Sequence, residues 1–378
     1  MATNNNDKTL NVPHLRFPEF NGEWEKKRIS EFCTLLKGTG ISKDQLSTNG
    51  NPCILYGELY TKYKAEIINE VLSCTELDAN TLVKSKVNDV IIPCSGETAI
   101  DIATARYVPF DDVLLGGDLN ILRSNKVNGS FLAYQLNGKR KYDIARVAQG
   151  VSVVHLYGEH LKNIVISLPV IEEQQKISRL LHLLDERIAT QNKIIEKLLS
   201  LIKGITILLT AKGKPNTTIA QCLECHSSTL QESEVSHSGL YKVFGANGLV
   251  GYTDMPQMNG DAILIIKDGS GVGTTSYAQG EFSVIGTLNY LTAISNYDLR
   301  YLYFVLSVFN FQSYKTGMAI PHIYFKDYGN AKIFCPPLSE QKRIANVLGK
   351  LESKLCLEQN ILASFNLQKR YLLGQMFI

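Results

Sequence analysis

Apolar residues recur at alternating steps of four and three along residues 169–205, and we name these positions the first seam. The first seam is Ile177, Leu181, Leu184, Ile188, Gln191, Ile195, Leu198, Ile202 and Ile205. Only Gln191 is polar, and heptad spacing of this kind predicts one long helix with a narrow apolar stripe. Pro169, Glu172 and Glu173 are typical of a helix start, because proline ends the preceding segment and carboxylates suit the positive end of a helix.

The same pattern returns 167 positions later without a gap. This second seam is Ile344, Leu348, Leu351, Leu355, Glu358, Leu362, Phe365, Lys369 and Leu372. Its polar residue Glu358 stands in the place of Gln191, and Pro336 to Gln341 repeats the start with proline, an acidic residue and glutamine. Lys369 replaces Ile202, so it marks either a frayed helix end or a contact with the first domain.

The regions ahead of the two helices also share an order of features. In residues 14–167, strands are expected near 52–60 and 87–92, and a helix near 131–137. In residues 214–334, the stretches 240–248 and 260–265 take the places of those two strands. The chain is therefore predicted to be a duplication of one unit, a mixed α+β domain followed by a long helix.

Five segments follow from this repeat: a flexible N-terminal segment (1–13), a first mixed domain (14–167), a central long helix (168–213), a second mixed domain (214–334) and a C-terminal long helix (335–378). Stripes of equal length predict that the helices pack together as an intramolecular coiled coil. The second domain leaves the C-terminal end of one helix and enters the N-terminal end of the other, which favours an antiparallel, pseudo-twofold pair. Such a rod would be roughly 40 Å long, close to one turn of B-form DNA, about 34 to 36 Å.

Composition narrows the class of protein only partly. The chain has 378 residues and 44% hydrophobic content, enough for two or more cores. Its start is polar and Lys203 interrupts the most apolar run, so neither a secretory signal nor a membrane span is predicted, and a cytoplasmic location is expected. The eight cysteines have no regular spacing and are expected to be reduced thiols. A net charge of +3 decides little, and the clusters Lys26–Arg28 and Lys139–Lys141 fit a DNA contact or a solvated face equally well.

Signals for catalysis are weak. The sequence has no phosphate-binding loop of the G-x-x-x-x-G-K-[ST] type and no methyltransferase motif with two prolines and an aromatic residue. Asp268–Gly273 follows a strand, but no helix pattern follows it, so a tight hairpin or a close approach to DNA is preferred over a nucleotide site. Cys222–His226 matches a haem-attachment pattern by spacing alone, and a structural role is preferred. His155 and His322 recur at the repeat offset, which favours a shared structural task such as binding a backbone carbonyl.

Several segments together resemble the specificity subunits of type I restriction-modification systems. They are the opening Pro13–Phe20 with Trp24, the stretch 241–252 with 261–273 behind it, both helix starts, and the ending Tyr371–Phe377. The resemblance covers essentially the whole chain, and the two helix starts at constant offset are its most specific part. It implies that residues 14–167 and 214–334 are target recognition domains, each for one half of a bipartite double-stranded DNA site.

The resemblance also implies the division of labour in a larger complex. The two helices would act as a ruler and as the docking surface for two modification subunits, which would bind S-adenosylmethionine. Two restriction subunits would use ATP and Mg for translocation and cleavage. This chain would then hold no cofactor or metal, have no catalytic residue, and not contact a membrane.

Candidate DNA contacts are side chains with directed donors and acceptors for base edges, and cations for phosphates, within the strand and loop regions. In the first domain they are Tyr56, Glu58, Lys62, Ser95, Glu97, Arg106, Lys139, Arg140 and Lys141, and in the second Asn247, Tyr252, Lys267, Ser270, Tyr314 and Lys315. Two other functions stay open from the residues alone. One is a single-chain nuclease or methyltransferase with an unrecognised site, and the other is a coiled-coil scaffold whose domains bind protein.

Overall fold

The structure, a computed structural model, describes residues 10–150 and 152–378 and divides into two compact units. Unit 1 extends to Gln191 and also contains Ile361–Ile378, and unit 2 is Asn192–Asn360. Residues 1–9 of the segment predicted to be flexible lie outside the described residues. Residues 10–13 belong to unit 1, where the Asn11 side chain donates to the Trp24 carbonyl and Pro13 is buried.

Unit 1 begins with short strands and helices that precede a long helix. Its strands are β1 (Glu25–Arg28), β2 (Thr34–Lys37), β3 (Leu46–Ser47), β4 (Asn51–Ile54), β5 (Ser73–Thr75), β6 (Asp89–Pro93), β7 (Ser95–Gly96), β8 (Arg106–Val108), β9 (Leu114–Leu115), β10 (Leu119–Arg123), β11 (Val154–His155) and β12 (Val165–Leu168). Its helices are α1 (Ile29–Phe32), α2 (Glu58–Thr61), α3 (Ala99–Ile102), α4 (Gly129–Asn137), α5 (Lys141–Arg146), α6 (Gly158–Leu161) and α7 (Ile171–Thr210), with a 3-10 turn at Lys43–Gln45. The second half of α7 belongs to unit 2.

Unit 2 also places short strands and helices ahead of a long helix, with fewer short helices among its strands. Its strands are β13 (Thr217–Thr218), β14 (Leu223–Ser227), β15 (Tyr241–Gly245), β16 (Gly248–Thr253), β17 (Met258–Asn259), β18 (Ala262–Ile266), β19 (Thr275–Ala278), β20 (Glu281–Val284), β21 (Leu288–Ala293) and β22 (Lys332–Ile333). Its helices are α8 (Ile219–Cys222), α9 (Leu299–Ser307), α10 (Phe325–Tyr328) and α11 (Leu338–Gln375), with 3-10 turns at Glu232–Glu234 and Gln312–Tyr314. The last part of α11 belongs to unit 1.

The main sheets of the two units have the same topology. The strand order is β2-β10-β6-β8 in unit 1 and β14-β21-β18-β19 in unit 2, and every pair is antiparallel. The central strands β6 and β18 are buried along their whole length. β18 is a continuous apolar run, and the Asp89 carboxylate at the start of β6 is paired with Arg123. Each unit also has a second sheet with one parallel pair, β4 with β9 and β15 with β20. The α+β duplication predicted from the sequence is confirmed.

One glutamine joins each long helix to its domain in the same way. The Gln174 carbonyl oxygen accepts from the backbone N–H of Asn128, the N-cap residue of α4, and its amide donates to the Pro169 carbonyl, at 3.0 and 2.8 Å. Gln341 makes the same bonds to Asp298, the N-cap of α9, and to Pro336, at 2.9 and 2.8 Å. Both glutamines are buried. The recurring glutamine therefore clamps a domain helix to the start of a long helix.

Both seams are buried or half-buried along their length, as the heptad spacing predicts. In unit 1, Ile177, Leu181 and Leu184 from the first half of α7 share a core with Leu372 at the end of α11 and with Met376 just after it. In unit 2, residues from the end of α7 pack with residues from the start of α11: Ile205, Leu209, Ile344 and Leu348. In each unit, therefore, the start of one long helix packs beside the end of the other.

Lys369, the charged residue on the second seam, contacts the first domain rather than a frayed end. Its ammonium lies 2.5 Å from a Glu66 carboxylate oxygen and 2.6 Å from one of Asp185. The Tyr134 hydroxyl donates to the other Asp185 oxygen at 2.7 Å. Burial works to raise the pKa of Glu66, but the charge and hydrogen bond of Lys369, together with the Arg106 charge and a backbone hydrogen bond, hold that pKa below its ordinary value.

The opening segment closes unit 1. The Arg16 guanidinium forms two hydrogen bonds with the buried Glu173 carboxylate at the start of α7, at 2.7 and 2.8 Å. The Leu15 backbone N–H donates to the Gln375 carbonyl at the end of α11. Trp24 packs edge-on against Phe131 and Phe377, with ring centroids 5.8 and 6.5 Å away. Leu15 and Arg16 thus contact both long helices within unit 1.

Candidate nucleic-acid interface

Three candidates of the first domain lie together around α2. Glu58 is buried, and its carboxylate accepts hydrogen bonds from the Leu55 backbone, the Lys62 ammonium and the Ser73 hydroxyl, at 3.0, 2.6 and 2.5 Å. Tyr56, Glu58 and Lys62 line a cleft of about 500 Å³, which also has apolar walls. Glu58 therefore fixes the loop, while the half-buried Tyr56 and the exposed Lys62 are accessible from solvent.

Ser95 and Glu97 follow the central strand β6. Ser95 is buried, and its hydroxyl is 3.1 Å from Nδ1 of His155. The two residues are also paired through the backbone in the short β7–β11 ladder. Glu97 is exposed beside them. Ser95 thus anchors this loop, and Glu97 is the one whose side chain reaches solvent.

Arg106 does not occupy the surface position expected of a DNA contact. It is buried on β8, and its guanidinium donates to the carbonyls of Leu59, Tyr63 and Ala105 at 3.1, 2.8 and 3.2 Å. Burial lowers its pKa, and the Glu66 and Asp185 carboxylates oppose that shift. Because all three sides of the guanidinium face carbonyls, the prediction that Arg106 contacts DNA is corrected to a role in holding the first domain together.

The cluster at 139–141 is less cationic towards solvent than its sequence indicates. Lys139 is exposed, but Arg140 bonds the Asp143 carboxylate at 3.2 Å and the Ile378 carbonyl at 2.9 Å. Burial, together with the charge of Arg106, lowers the pKa of Lys141. Lys139 is therefore the member of this cluster best placed to meet a phosphate.

In the second domain, one candidate, Lys315, lines an open cavity of about 320 Å³. The other lining residues are 272–275, 307 and 309–312. Tyr314 stacks on Phe309, with ring centroids 5.9 Å apart. Ser270 is exposed at the turn between β18 and β19, and the half-buried Lys267 directly follows β18.

The other two candidates of the second domain lie on a separate hairpin. Asn247 is exposed at the β15–β16 turn, ahead of Gly248, which has a φ of +99°. Tyr252 on β16 is half-buried, and its backbone pairs with Ser236. Neither residue lines the cavity that contains Lys315. Within the described β15–β16 hairpin there is no counterpart of the Glu58 cluster of the first domain.

Two motifs weighed from the sequence have structural explanations. Asp268–Gly273 lies between the antiparallel strands β18 and β19, so it is the tight hairpin that the sequence favours over a nucleotide site. Cys222 is buried, 3.9 Å from the Cys335 sulfur, while His226 stacks on Tyr290. Among residues 10–150 and 152–378, no group of His, Cys, Asp and Glu side chains could hold a metal ion.

The recurring histidines are anchors, but through side chains rather than a backbone carbonyl. Nδ1 of His155 is 3.1 Å from the Ser95 hydroxyl, and Nδ1 of His322 is 2.6 Å from an Asp268 carboxylate oxygen. Sequence reasoning did not select the short hairpins that these histidines close. The signal was the glycine five residues before each one, Gly150 and Gly317, and both have positive φ.

Comparison with known proteins identifies the class. The chain matches the family model described as type I restriction modification DNA specificity domain over residues 21–200 and again over 220–366. The two matches coincide with the two copies of the sheet topology and their long helices. The chain therefore belongs to the type I restriction modification DNA specificity domain family.

Individual relatives agree with this assignment. The type I restriction enzyme MjaVIII specificity subunit of Methanocaldococcus jannaschii is 28% identical over 201 residues, 53% of this chain and 44% of the relative. The EcoprrI specificity subunit of Escherichia coli is 24% identical over 116 residues, 31% of this chain and 29% of the relative. The aligned parts thus span less than half the length of these curated relatives.

Solved structures share the fold. The S subunit of a type I restriction-modification system from M. genitalium has a TM-score of 0.70 at 18% identity and covers 97% of this chain and 99% of that chain. A structure from work on complex assembly and conformational transition of the type I system has a TM-score of 0.56 at 17% identity, with the same coverages. In the described part of the chain, no helix is long and apolar enough to cross a membrane.

Proposed function

We propose that this chain is the non-catalytic DNA-reading subunit of a type I restriction-modification complex, and that each mixed domain reads one half of a bipartite site. The main support for the proposal is that the two domains share their main sheet but differ in their loops. The two main sheets have the same topology, but the Glu58 cluster of the first domain has no counterpart at the Asn247 hairpin of the second. Readers of different half-sites need this combination, because base edges are distinguished by the donors and acceptors that face them.

The proposed contacts within each domain follow from accessibility. In the first domain, Tyr56, Lys62, Glu97 and Lys139 present polar groups to solvent. In the second, Asn247 and Ser270 are exposed, and Lys315 lines an open cavity. Lysines would meet phosphates and hold the register, and the other side chains would meet base edges.

The long helices would set the spacing of the half-sites and dock two modification subunits. Support comes from apolar side chains that point away from the seams and are exposed on α7 and α11: Leu183, Ile194, Leu201, Leu208, Leu357 and Leu367. Ile194, Leu201 and Leu208 are seven residues apart and therefore lie on one face of α7, and exposed apolar patches often mark protein interfaces. S-adenosylmethionine would be bound by the modification subunits, and ATP and Mg by two restriction subunits. We expect the complex to act in the cytoplasm.

A domain exchange tests the proposal. Residues 14–167 would be replaced by the corresponding domain of another family member, and adenine methylation in the host genome would be mapped by single-molecule sequencing. One half of the methylated site should change while the other half and the spacing stay the same. Exchange of residues 214–334 is the matched control and should change only the other half. A change in both halves, or in neither, would contradict the modular reading.

A further inference from the structure

A hairpin closed by glycine and histidine recurs in both mixed domains, and we name the two copies, residues 149–155 and 316–322, the glycine hairpins. Residue 151 lies outside the described residues. Gln149 and His155 exchange two backbone hydrogen bonds of 2.9 and 2.7 Å, and Thr316 and His322 do the same at the same lengths. The second residue of each hairpin is Gly150 or Gly317, with φ of +122° and +86°.

The glycines are required by the shape of these hairpins. A Cβ on Gly150 would lie 2.1 Å from the Val153 carbonyl oxygen, and one on Gly317 would lie 2.4 Å from that of Ile320. Other residues therefore fit neither position without a shift of the backbone. Each hairpin is also held to the loop after the central strand, through His155 to Ser95 and His322 to Asp268. Both copies are thus fixed in place from two sides.

The tips of both hairpins present aliphatic side chains to solvent. Val153 is 53% exposed, Ile320 is 59% exposed, and Met318 is fully exposed. A single exposed aliphatic residue is ordinary, but here the same position is aliphatic and exposed in two domains whose other loops have diverged. Such a tip has no donor or acceptor for a base edge, so it cannot read a base through hydrogen bonds.

A tyrosine stands beside each hairpin, and a lysine stands beside the second one. Tyr157 and Tyr324, each about half exposed, stack on the hairpin histidines with centroids 6.2 and 6.4 Å apart. The Lys326 ammonium lies 5.5 Å from the Tyr324 ring centroid. At the corresponding position the first hairpin has Glu159, whose carboxylate is paired with the Lys162 ammonium at 2.6 Å. An aliphatic tip with a hydroxyl and a lysine beside it suits a minor groove, which apolar side chains can enter while polar groups contact phosphates.

From this arrangement we propose that the two glycine hairpins are a pair of base-independent contacts to duplex DNA, one for each half-site. The proposal rests on the proposed function and adds the surface that holds the DNA without reading it. The hairpins are hydrogen-bonded to the loops that carry Ser95, Glu97 and Ser270, so the holding contact is adjacent to the reading contact in each domain. Because the glycine hairpins would hold DNA of any sequence, they can stay the same in both domains while the reading loops differ.

The test uses the full chain with its modification subunits and two fluorescent duplexes, one with the methylated site and one of random sequence. In the double variant Val153→Ser/Ile320→Ser, the Kd for both duplexes should rise by the same factor, about fivefold or more, as expected for losing two aliphatic contacts. The methylated site should not change. The control is Val87→Ser/Leu240→Ser, which removes aliphatic side chains that are 53% and 77% exposed elsewhere, and its Kd should equal that of the wild type.

A gain of binding guards against a misfolded variant. Ile320→Lys adds a cation beside the phosphates, so both Kd values should fall, and the plot of log Kd against log salt should steepen by about one ion. An unchanged Kd in both variants, while wild type binds, would overturn the proposal. So would a new methylated half-site, which would make the hairpins readers, or lost subunit assembly, which would make them a protein contact. If the wild-type complex binds neither duplex, the proposed function itself fails.

Discussion

Replacing Lys369 by methionine tests the ionic contact that interrupts the second seam. The Lys369 ammonium neutralises Glu66 and Asp185, at 2.5 and 2.6 Å, and all three side chains are at most 15% exposed. In the variant, two carboxylates remain close together with no cation between them. Burial and the neighbouring Glu66 already raise the pKa of Asp185 in the native protein. Without Lys369, the repulsion between the Glu66 and Asp185 carboxylates is no longer compensated by its positive charge.

The magnitude follows from burial. Removing one partner of a buried ion pair costs about 3 to 5 kcal/mol. Methionine on the seam returns about 1 kcal/mol of apolar burial, so the free energy of unfolding of unit 1 should fall by about 2 to 4 kcal/mol. With a urea slope of roughly 2 kcal/mol per molar, the midpoint should fall by about 1 to 2 M.

Fluorescence of Trp24 measures unit 1 separately. Trp24 is the only tryptophan of the chain and is buried in the core of that unit. The control is Lys176→Met, also in unit 1, because Lys176 pairs with Glu19 at the surface, where both side chains are about half exposed. A surface pair contributes less than about 1 kcal/mol, so the control midpoint should move little.

Equal midpoints for Lys369→Met and Lys176→Met would refute the reasoning, and so would a stabilised Lys369→Met. A triple variant with Glu66→Gln and Asp185→Asn removes both stranded charges and should recover at least half of the loss. If it recovers nothing, packing of the lysine stem rather than charge explains the result.

Three further predictions follow from the same contacts. Gln174→Ala removes two buried hydrogen bonds and should lower the Trp24-monitored stability by about 2 to 3 kcal/mol; a midpoint that stays in place would contradict the clamp. Leu184→Asp puts a carboxylate into the seam and should unfold unit 1 at lower urea by several kcal/mol, whereas the exposed neighbour in Leu183→Asp should be tolerated, and equal losses would argue against the seam. Because the pKa of Glu66 lies below its ordinary 4.5, its stabilising effect is complete above that pH and is lost as pH falls through the folded pKa. Glu66→Gln should therefore flatten the acid side of the Trp24 midpoint curve, and an unchanged slope would rule this group out.

The parts of the fold that sequence predicted are those governed by local spacing. Heptad steps and proline-led starts depend on neighbours within one or two turns, so both long helices and the central strand 89–93 were predictable. The fate of Lys369 was not, because its partner Glu66 is 303 positions away. Arg106 was misassigned for a related reason, since an arginine on a short strand gives no local sign of whether carbonyls or solvent will surround it.

The candidate site was predictable only as far as residue type indicates chemistry. Tyrosine, lysine and asparagine in glycine-rich loops are suited to DNA, and several of them are accessible here. Burial of Glu58 and Ser95 depends on how distant loops fold over them, which no periodicity encodes. The two copies distinguish structural residues from reading residues, because features that recur at constant offset serve both domains, whereas features that diverge can differ between half-sites.

Unit 1 is formed by two parts of the chain that are far apart in sequence, and this affects its folding during translation. Its core includes Leu372, Met376 and Phe377, packed with Trp24 and Phe131, but all of unit 2 is translated between the two parts. At about 5 to 20 residues per second, a ribosome needs roughly 10 to 30 s to cross those residues. The first domain therefore waits with an open apolar face until the last helix emerges, and chaperones that shield nascent chains should bind it during that interval. Unit 2, although it is synthesised later, has all of its residues available earlier and can complete its fold first.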